Sequence, residues 1–339
     1  MVAVPPPTGD MKKASAPCLA LEYRPEMDPF VDQHLQGVSR TYALLVPLLP
    51  PPLDDTVGVS YLLMRIVDTL EDAPQLSTDE RVCCFQQLDA ALGGDAAAIE
   101  ALTRPIGDLH AERALLRAAP EVFARVAAFE PGDREAASSC ARAMSAGVRT
   151  LLARSAVCGL PYPAVRDATE LREYCYYVAG VVGEMLCAMM ARHLECPALL
   201  QLRPQATELG IGLQLVNILK DTPRDAAQGR RYLPRAVEGG PSHATIYQAT
   251  LGMARQCLQQ GIDYVLGLPA SARALRSFCG LPIAWGALTL TCAEREPARA
   301  KIGRSAIQHS IGQFATLAGD DAALRGWLTS LLRPPVAVA

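Results

Sequence analysis

The stretch YLLMRIVDTLEDAP, residues 61–74, decides the fold and poses the functional question. Leu62, Leu63, Met64, Ile66, Val67 and Leu70 recur at helical spacing and call for a core, whereas Asp68, Glu71 and Asp72 are residue types seldom buried without a partner. On a helix, Tyr61, Arg65, Asp68 and Asp72 fall at i, i+4, i+7 and i+11, one polar stripe with Glu71 beside it. An ion pair of Arg65 with Asp68 or Asp72 would account for part of that face as a solvated surface. The remaining negative charge asks for a positive partner from outside the stretch.

The flanks read as helix as well. Residues 29–49 form a helical pattern that ends in the proline cluster LLPPPL, because proline cannot continue a helix and restricts the residue before it. Asp54 or Asp55 is positioned to cap the helix carrying the opening stretch, and Pro74 closes it. Further helical patterns cover 78–93, 95–103, 108–128, 132–158, 166–195, 199–221, 241–267, 270–293, 297–316 and 320–332, separated by Gly and Pro. No strand alternation, fixed-period repeat or internal low-complexity linker interrupts them. The expectation is one all-α domain, a helical bundle with a central cavity, over 29–332, between a disordered lead 1–28 and a flexible tail 333–339.

Composition agrees with helix and narrows the function. Half of the 339 residues are hydrophobic and only 5% aromatic, with few β-branched runs. A formal net charge of -3 gives no electrostatic case for nucleic acid. None of the eleven cysteines forms a CxxC pair, and Cys187, Cys257 and Cys292 lie in apolar helical surroundings, which points to reduced core thiols in a cytoplasmic protein rather than disulfides or zinc. The N-terminus lacks the apolar core of a signal peptide, and the run Gly280–Ala293 is too short for a bilayer of roughly 30 Å, so any membrane contact is expected to be peripheral. A monomer or weak dimer is expected.

A second stripe gives the first its meaning. In ELGIGLQLVNILKDTPRD, residues 208–225, Gln214, Asn217, Asp221 and Asp225 fall at i, i+3, i+7 and i+11 of an otherwise apolar helix. Carboxylates and an amide oxygen are hard ligands suited to Mg²⁺, which keeps several waters and shares its remaining positions with substrate phosphates. Two such faces across a bundle core form a device for holding a diphosphate through Mg²⁺. The chemistry this implies is ionisation of an allylic diphosphate inside apolar walls that keep water from the carbocation.

With these motifs in hand the chain resembles the squalene/phytoene synthases, all-α head-to-head prenyltransferases, over roughly residues 35–310. SRTYALL at 39–45 is similar to the family's Ser-Arg-Ser-Phe segment, and YLLMRIVDTLED to its first aspartate-rich motif. YCYYVAGVVGE at 174–184 resembles its Tyr-Cys-x-Tyr-Val-Ala-Gly signature, while QLVNILKD at 214–221 with GRRYLP at 229–234 resembles its second motif. The resemblance implies Mg²⁺ at Asp68, Glu71 and Asp72 and at Asn217, Asp221 and Asp225. It implies diphosphate contacts from Arg40, Arg65, Lys220 and Arg230, with Ser39, Tyr42, Tyr177 and Gln214 lining the substrate site. Tyr174 resembles the family tyrosine that assists proton removal or cation stabilisation, with Arg65 and Tyr61 as its catalytic neighbours. Glu184 reads either as a catalytic group or as half of a buried pair with an arginine.

DTLED and SFCGLPIAWGALTL at 277–290 are similar to the squalene-forming branch, and KIGR at 301–304 stands where that branch carries a basic segment linked to reduction. Lys301 and Arg304 are thereby implied as contacts for NADPH. The expected reaction joins two farnesyl diphosphates through presqualene diphosphate and reduces the product to squalene. Its rivals are the same condensation without hydride, ending in dehydrosqualene, hydroxysqualene or phytoene, and a non-catalytic helical protein that binds prenyl diphosphates. Two positions depart from the pattern: Arg224 stands where the family has an acidic residue, and Ile283 where the squalene branch often has glutamine. Pro223 is expected to bend or end its helix and so to set the aim of Asp225.

Overall fold

The computed structural model describes residues 27–334, apart from 105, 108, 158–163, 228 and 236–239. The expected lead therefore lies almost wholly outside the described residues, as does most of the tail. Among the described residues there is no strand, and the elements follow one another as helices and short helical turns.

The opening stretch lies in α3 (Leu53–Asp72), whose apolar side is fully buried and whose end at Asp72 follows from Ala73 turning extended ahead of Pro74. Its first turn departs from expectation. Neither Asp54 nor Asp55 is the cap, because the helix begins at Leu53; Asp55 instead accepts from the Asp28 backbone N–H at 3.2 Å. The segment 29–49 is likewise not one helix. It breaks into α1 (Pro29–Val38), the single turn α2 (Tyr42–Leu45) and a 3₁₀ turn, Val46–Leu48, and Ser39 at the break accepts the Tyr42 N–H at 3.0 Å. Next come α4 (Thr78–Leu92), α5 (Ala96–Ala101) and the pair α6 (His110–Arg117) and α7 (Ala119–Ala127), where the spacing had predicted one helix over 108–128. Pro120, in the first turn of α7, cannot donate back to α6 and so begins a new helix.

The central layer is built from α8 (Pro131–Val157), α9 (Ala168–Cys175), α10 (Val181–His193) and α11 (Arg203–Ala227). Between α9 and α10, Tyr176–Gly180 form a π-turn, so the predicted helix 166–195 does not keep a constant period. Close backbone approach fixes α11 against this turn. A Cβ on Gly210 would stand 2.2 Å from the Ala179 carbonyl oxygen, and one on Gly183 would stand 2.1 Å from that of Ala206. Glycine is required at both crossings.

Helix α11 also runs on through Pro223 to Ala227, six residues past the expected end. Proline leaves the Leu219 carbonyl without its intrahelical donor, and the Tyr247 hydroxyl of α12 (His243–Gly267) approaches that oxygen at 3.5 Å. The bundle closes with α13 (Arg273–Arg295), α14 (Arg304–Leu317) and α15 (Asp321–Leu332). Arg276, only 1% exposed, ties these last helices together through the Leu268 and Ala318 carbonyls and Asp321.

The span Ala168–His193 is long and apolar enough to cross a membrane, although the sequence reading found no run that could. Half of its most apolar window is buried inside the fold, against α8 and α11. The nine described cysteines are unpaired.

Candidate active site

The acidic end of α3 faces the chain that follows α11. Arg230 donates to Asp72 Oδ1 at 2.8 Å, and the Arg230 backbone N–H donates to the Asp225 carbonyl at 2.8 Å, so the end of the second motif is folded onto the first. Tyr232 donates to the same Asp72 oxygen at 3.3 Å and its ring stacks on Tyr174 with centroids 5.1 Å apart. Tyr174, buried, donates its hydroxyl to Glu71 Oε1 at 2.9 Å. Glu71 is therefore turned inward, while Asp68 and Asp72 keep 34% and 49% of their side chains open to water.

Arg65 lies between two carboxylates. Its Nη2 donates to Glu112 Oε1 at 2.5 Å, whereas its Nη1 stands 3.7 Å from Asp68. Above it, Tyr61 hydrogen-bonds Ser39 and packs against Tyr42 with ring centroids 4.8 Å apart; Tyr42 in turn faces Phe278. On α11, Gln214 and Asp221 are half-buried and Asn217 is exposed, a wet stripe on a helix whose other faces are core. Lys220 donates to Asn217 Oδ1 at 3.0 Å and pairs with Asp221 at 3.3 Å.

The electrostatics record a shortage of positive charge. Crowding by protein pushes the Asp68 carboxyl up to about 7, against the pull of Arg65, with Asp72 and Glu112 adding repulsion. The same desolvation pushes Asp225 to about 6 and raises Asp72 and Glu71, whose partial relief comes from Arg230 and from the Tyr174 hydroxyl respectively. Such a face gains from a bound cation. Among the described residues no three His, Cys, Asp or Glu side chains close on one point at ligand distance, so the protein offers no complete cage. Separated carboxylate and amide oxygens on two walls fit Mg²⁺ that completes its shell with water and diphosphate oxygens.

Most residues named from the sequence therefore gather here: Arg65, Asp68, Glu71, Asp72, Tyr174, Arg230 and Asp225 in one cluster, with Tyr61, Ser39 and Tyr42 adjoining it through Arg65. Asn217, Lys220 and Asp221 form the second stripe, and Asp221 is linked to the cluster through the charge of Asp225. Arg40 is exposed, as are Lys301 and Arg304, where α14 begins. Tyr177 packs on α8: its ring lies where a Cβ on Gly147 would stand, 2.0 Å from the ring carbon Cγ. Glu184, read as either a catalytic group or half of an arginine pair, accepts from the Thr207 hydroxyl at 3.1 Å and bonds Tyr176. Between Tyr174 and Glu184 lies the π-turn, which rotates less per residue than an α-helix and so breaks the helical phase that joins the two. Sequence reading missed Glu112 and Tyr232. Tyr232 lay inside the quoted GRRYLP, while Glu112 carried no signal beyond a helix-capping position.

Residues 35–309 match the squalene/phytoene synthase family. Squalene synthase LSS of Botryococcus braunii is 28% identical over 62% of this chain and 43% of its own length. The squalene synthase of Eremothecium gossypii is 26% identical over 76% of this chain and 60% of its own. The matches thus span between two fifths and three fifths of those relatives. The solved structure of TcSQS with a ligand superposes with a TM-score of 0.75 at 20% identity, covering 91% of this chain and 93% of that one, which establishes the fold. From the matched span and the shared fold, the chain belongs to the squalene/phytoene synthase family.

Proposed function

We propose that the protein joins two farnesyl diphosphates head to head through presqualene diphosphate in a Mg²⁺-dependent reaction and, by the resemblance of segment 277–304, reduces the product to squalene with NADPH. One observation carries the condensation: the acidic end of α3 and the chain beyond α11 are locked together at Asp72 and Arg230, while neighbouring carboxyls are held far above their ordinary proton affinity. Asp68 and Asp72 on one wall, and Asn217, Asp221 and Asp225 on the other, would hold Mg²⁺. When bound, the metal supplies positive charge that stabilises departing pyrophosphate.

The chain's own groups define the rest. Arg65 and Arg230 present forked donors to diphosphate oxygens, and Lys220 a point charge. Tyr174, its proton committed to Glu71, turns oxygen lone pairs rather than a proton toward developing positive charge, and Tyr42, Tyr61 and Phe278 give aromatic faces that attract a cation while excluding water. Lys301 and Arg304 have the chemistry to meet a phosphate of NADPH, but they supply nothing for its nicotinamide ring, and Ile283 is fully buried where an amide would have been polar. That observation favours a second reading, in which the condensation ends without hydride.

Purified protein incubated with farnesyl diphosphate and Mg²⁺, with and without NADPH, separates the two by gas chromatography–mass spectrometry. Squalene formed only with NADPH supports the full reaction. Dehydrosqualene or hydroxysqualene unchanged by NADPH supports the second reading, and absence of product from farnesyl and longer diphosphates alike refutes both.

A further inference from the structure

We infer that Glu112 is a positioning residue that holds Arg65 off Asp68 and so keeps the aspartate face open to a Mg²⁺-bound diphosphate, an inference resting on the function proposed above. Arg65 and Asp68 are three residues apart on the same helix, a spacing at which arginine and aspartate ordinarily pair. Here they form only a loose ion pair at 3.7 Å, beyond hydrogen-bond reach, whereas the guanidinium hydrogen-bonds Glu112 at 2.5 Å. Arg65 thus feels both charges, and its short hydrogen bond goes to Glu112.

Glu112 is built for that role. It is 7% exposed, and its second oxygen accepts the Leu109 N–H at 2.9 Å, so the carboxylate is fixed by the backbone at the start of α6 and cannot follow Arg65 elsewhere. Because Glu112 belongs to α6 rather than α3, it draws the guanidinium sideways from the acidic stripe. The Arg65 Nε–H is buried without a partner among the described residues, so Glu112 takes the short hydrogen bond that this guanidinium makes. Were Glu112 neutral, the shortest move for Arg65 would be onto Asp68, forming the i,i+3 pair and occupying an oxygen that the ligand needs. Glu112 touches neither metal nor substrate in this account; it acts through Arg65.

The test measures binding of inorganic pyrophosphate in the presence of Mg²⁺ by calorimetry, for wild type, Glu112→Gln, Arg65→Met and the double variant. Glutamine keeps the shape and the acceptor for Leu109, so the melting curve should be nearly unchanged. The expected result is an affinity about tenfold weaker in Glu112→Gln, with no further effect of that change in the Arg65→Met background, since coupled neighbours deviate from additivity. Equal losses in both backgrounds, or wild-type affinity in Glu112→Gln, would overturn the positioning role alone. Wild type that takes up no pyrophosphate with Mg²⁺ would overturn the diphosphate reading and this inference with it. If Glu112→Gln loses its melting transition, Glu112→Asp carries the same test, because it keeps the charge but falls short of Arg65 and is expected to weaken binding likewise.

Discussion

Under the proposed function, Asp68 sets stability against activity whereas Tyr174 serves both. Asp68 sits among carboxylates with no hydrogen-bonded cation, so replacing it by asparagine should leave the fold intact, raise the melting temperature of the ligand-free protein near neutral pH and cut turnover by orders of magnitude. A variant that keeps full activity would remove Asp68 from the site. Tyr174→Phe deletes the hydroxyl bonded to buried Glu71 and is expected to cost about 1–3 kcal/mol, read from urea unfolding, as well as slowing turnover. Unchanged stability would mean that the bond is not formed in solution. At this scale the sequence was legible wherever chemistry followed helical spacing: Asp68 and Asp72 could be placed on one wet stripe by counting. Glu112 and Tyr232 were not legible, because a partner 47 or 160 residues away leaves no mark on local periodicity.

Helical elements meet where side chains permit it, and the crossing of α11 with the π-turn permits none. Gly210→Ala should destabilise by about 1–3 kcal/mol, since the added methyl meets the Ala179 carbonyl, which is backbone and cannot swing away. Gly252→Ala in α12 is the control: nothing lies within 4 Å of its added carbon, and helix propensity predicts a gain of up to about 1 kcal/mol. Chemical unfolding of the two variants side by side checks both signs. The π-turn is also where reading by period failed: it rotates less per residue than the constant step of about 100° in an α-helix, so the phase counted from Tyr174 to Glu184 slips. Pro223 misled in the opposite way. It was read as bending or ending its helix; the helix continues to Ala227, and Tyr247, from another element, stands near the freed carbonyl.

For the whole molecule, the raised carboxyls make stability depend on pH. Asp68 near 7 and Asp225 near 6 hold protons in the folded protein that an unfolded chain, with its carboxyls near 3.8, has already released. Their contribution is greatest at the acid end of that window and is lost as pH rises from about 4 to about 7. Differential scanning calorimetry of the ligand-free protein should show this fall, Asp68→Asn should flatten it, and Mg²⁺ with pyrophosphate, which needs the ionised face, should raise the melting temperature more at pH 8 than at pH 5. A ligand-free profile rising across the same range would contradict the crowding of these groups. The all-α bundle was legible from composition and periodicity, whereas the locking of its two acidic motifs through Arg230 is a property of the folded chain alone.

The central claim is that the two motifs serve one diphosphate from opposite walls. Release of pyrophosphate from farnesyl diphosphate, followed with and without Mg²⁺ for wild type, Asp68→Asn and Asp221→Asn, tests it most directly. The account predicts release by wild type only with Mg²⁺, and a loss of at least about a hundredfold in each variant although the altered residues lie on different helices. Release that ignores Mg²⁺, or that survives intact in either variant, would contradict it.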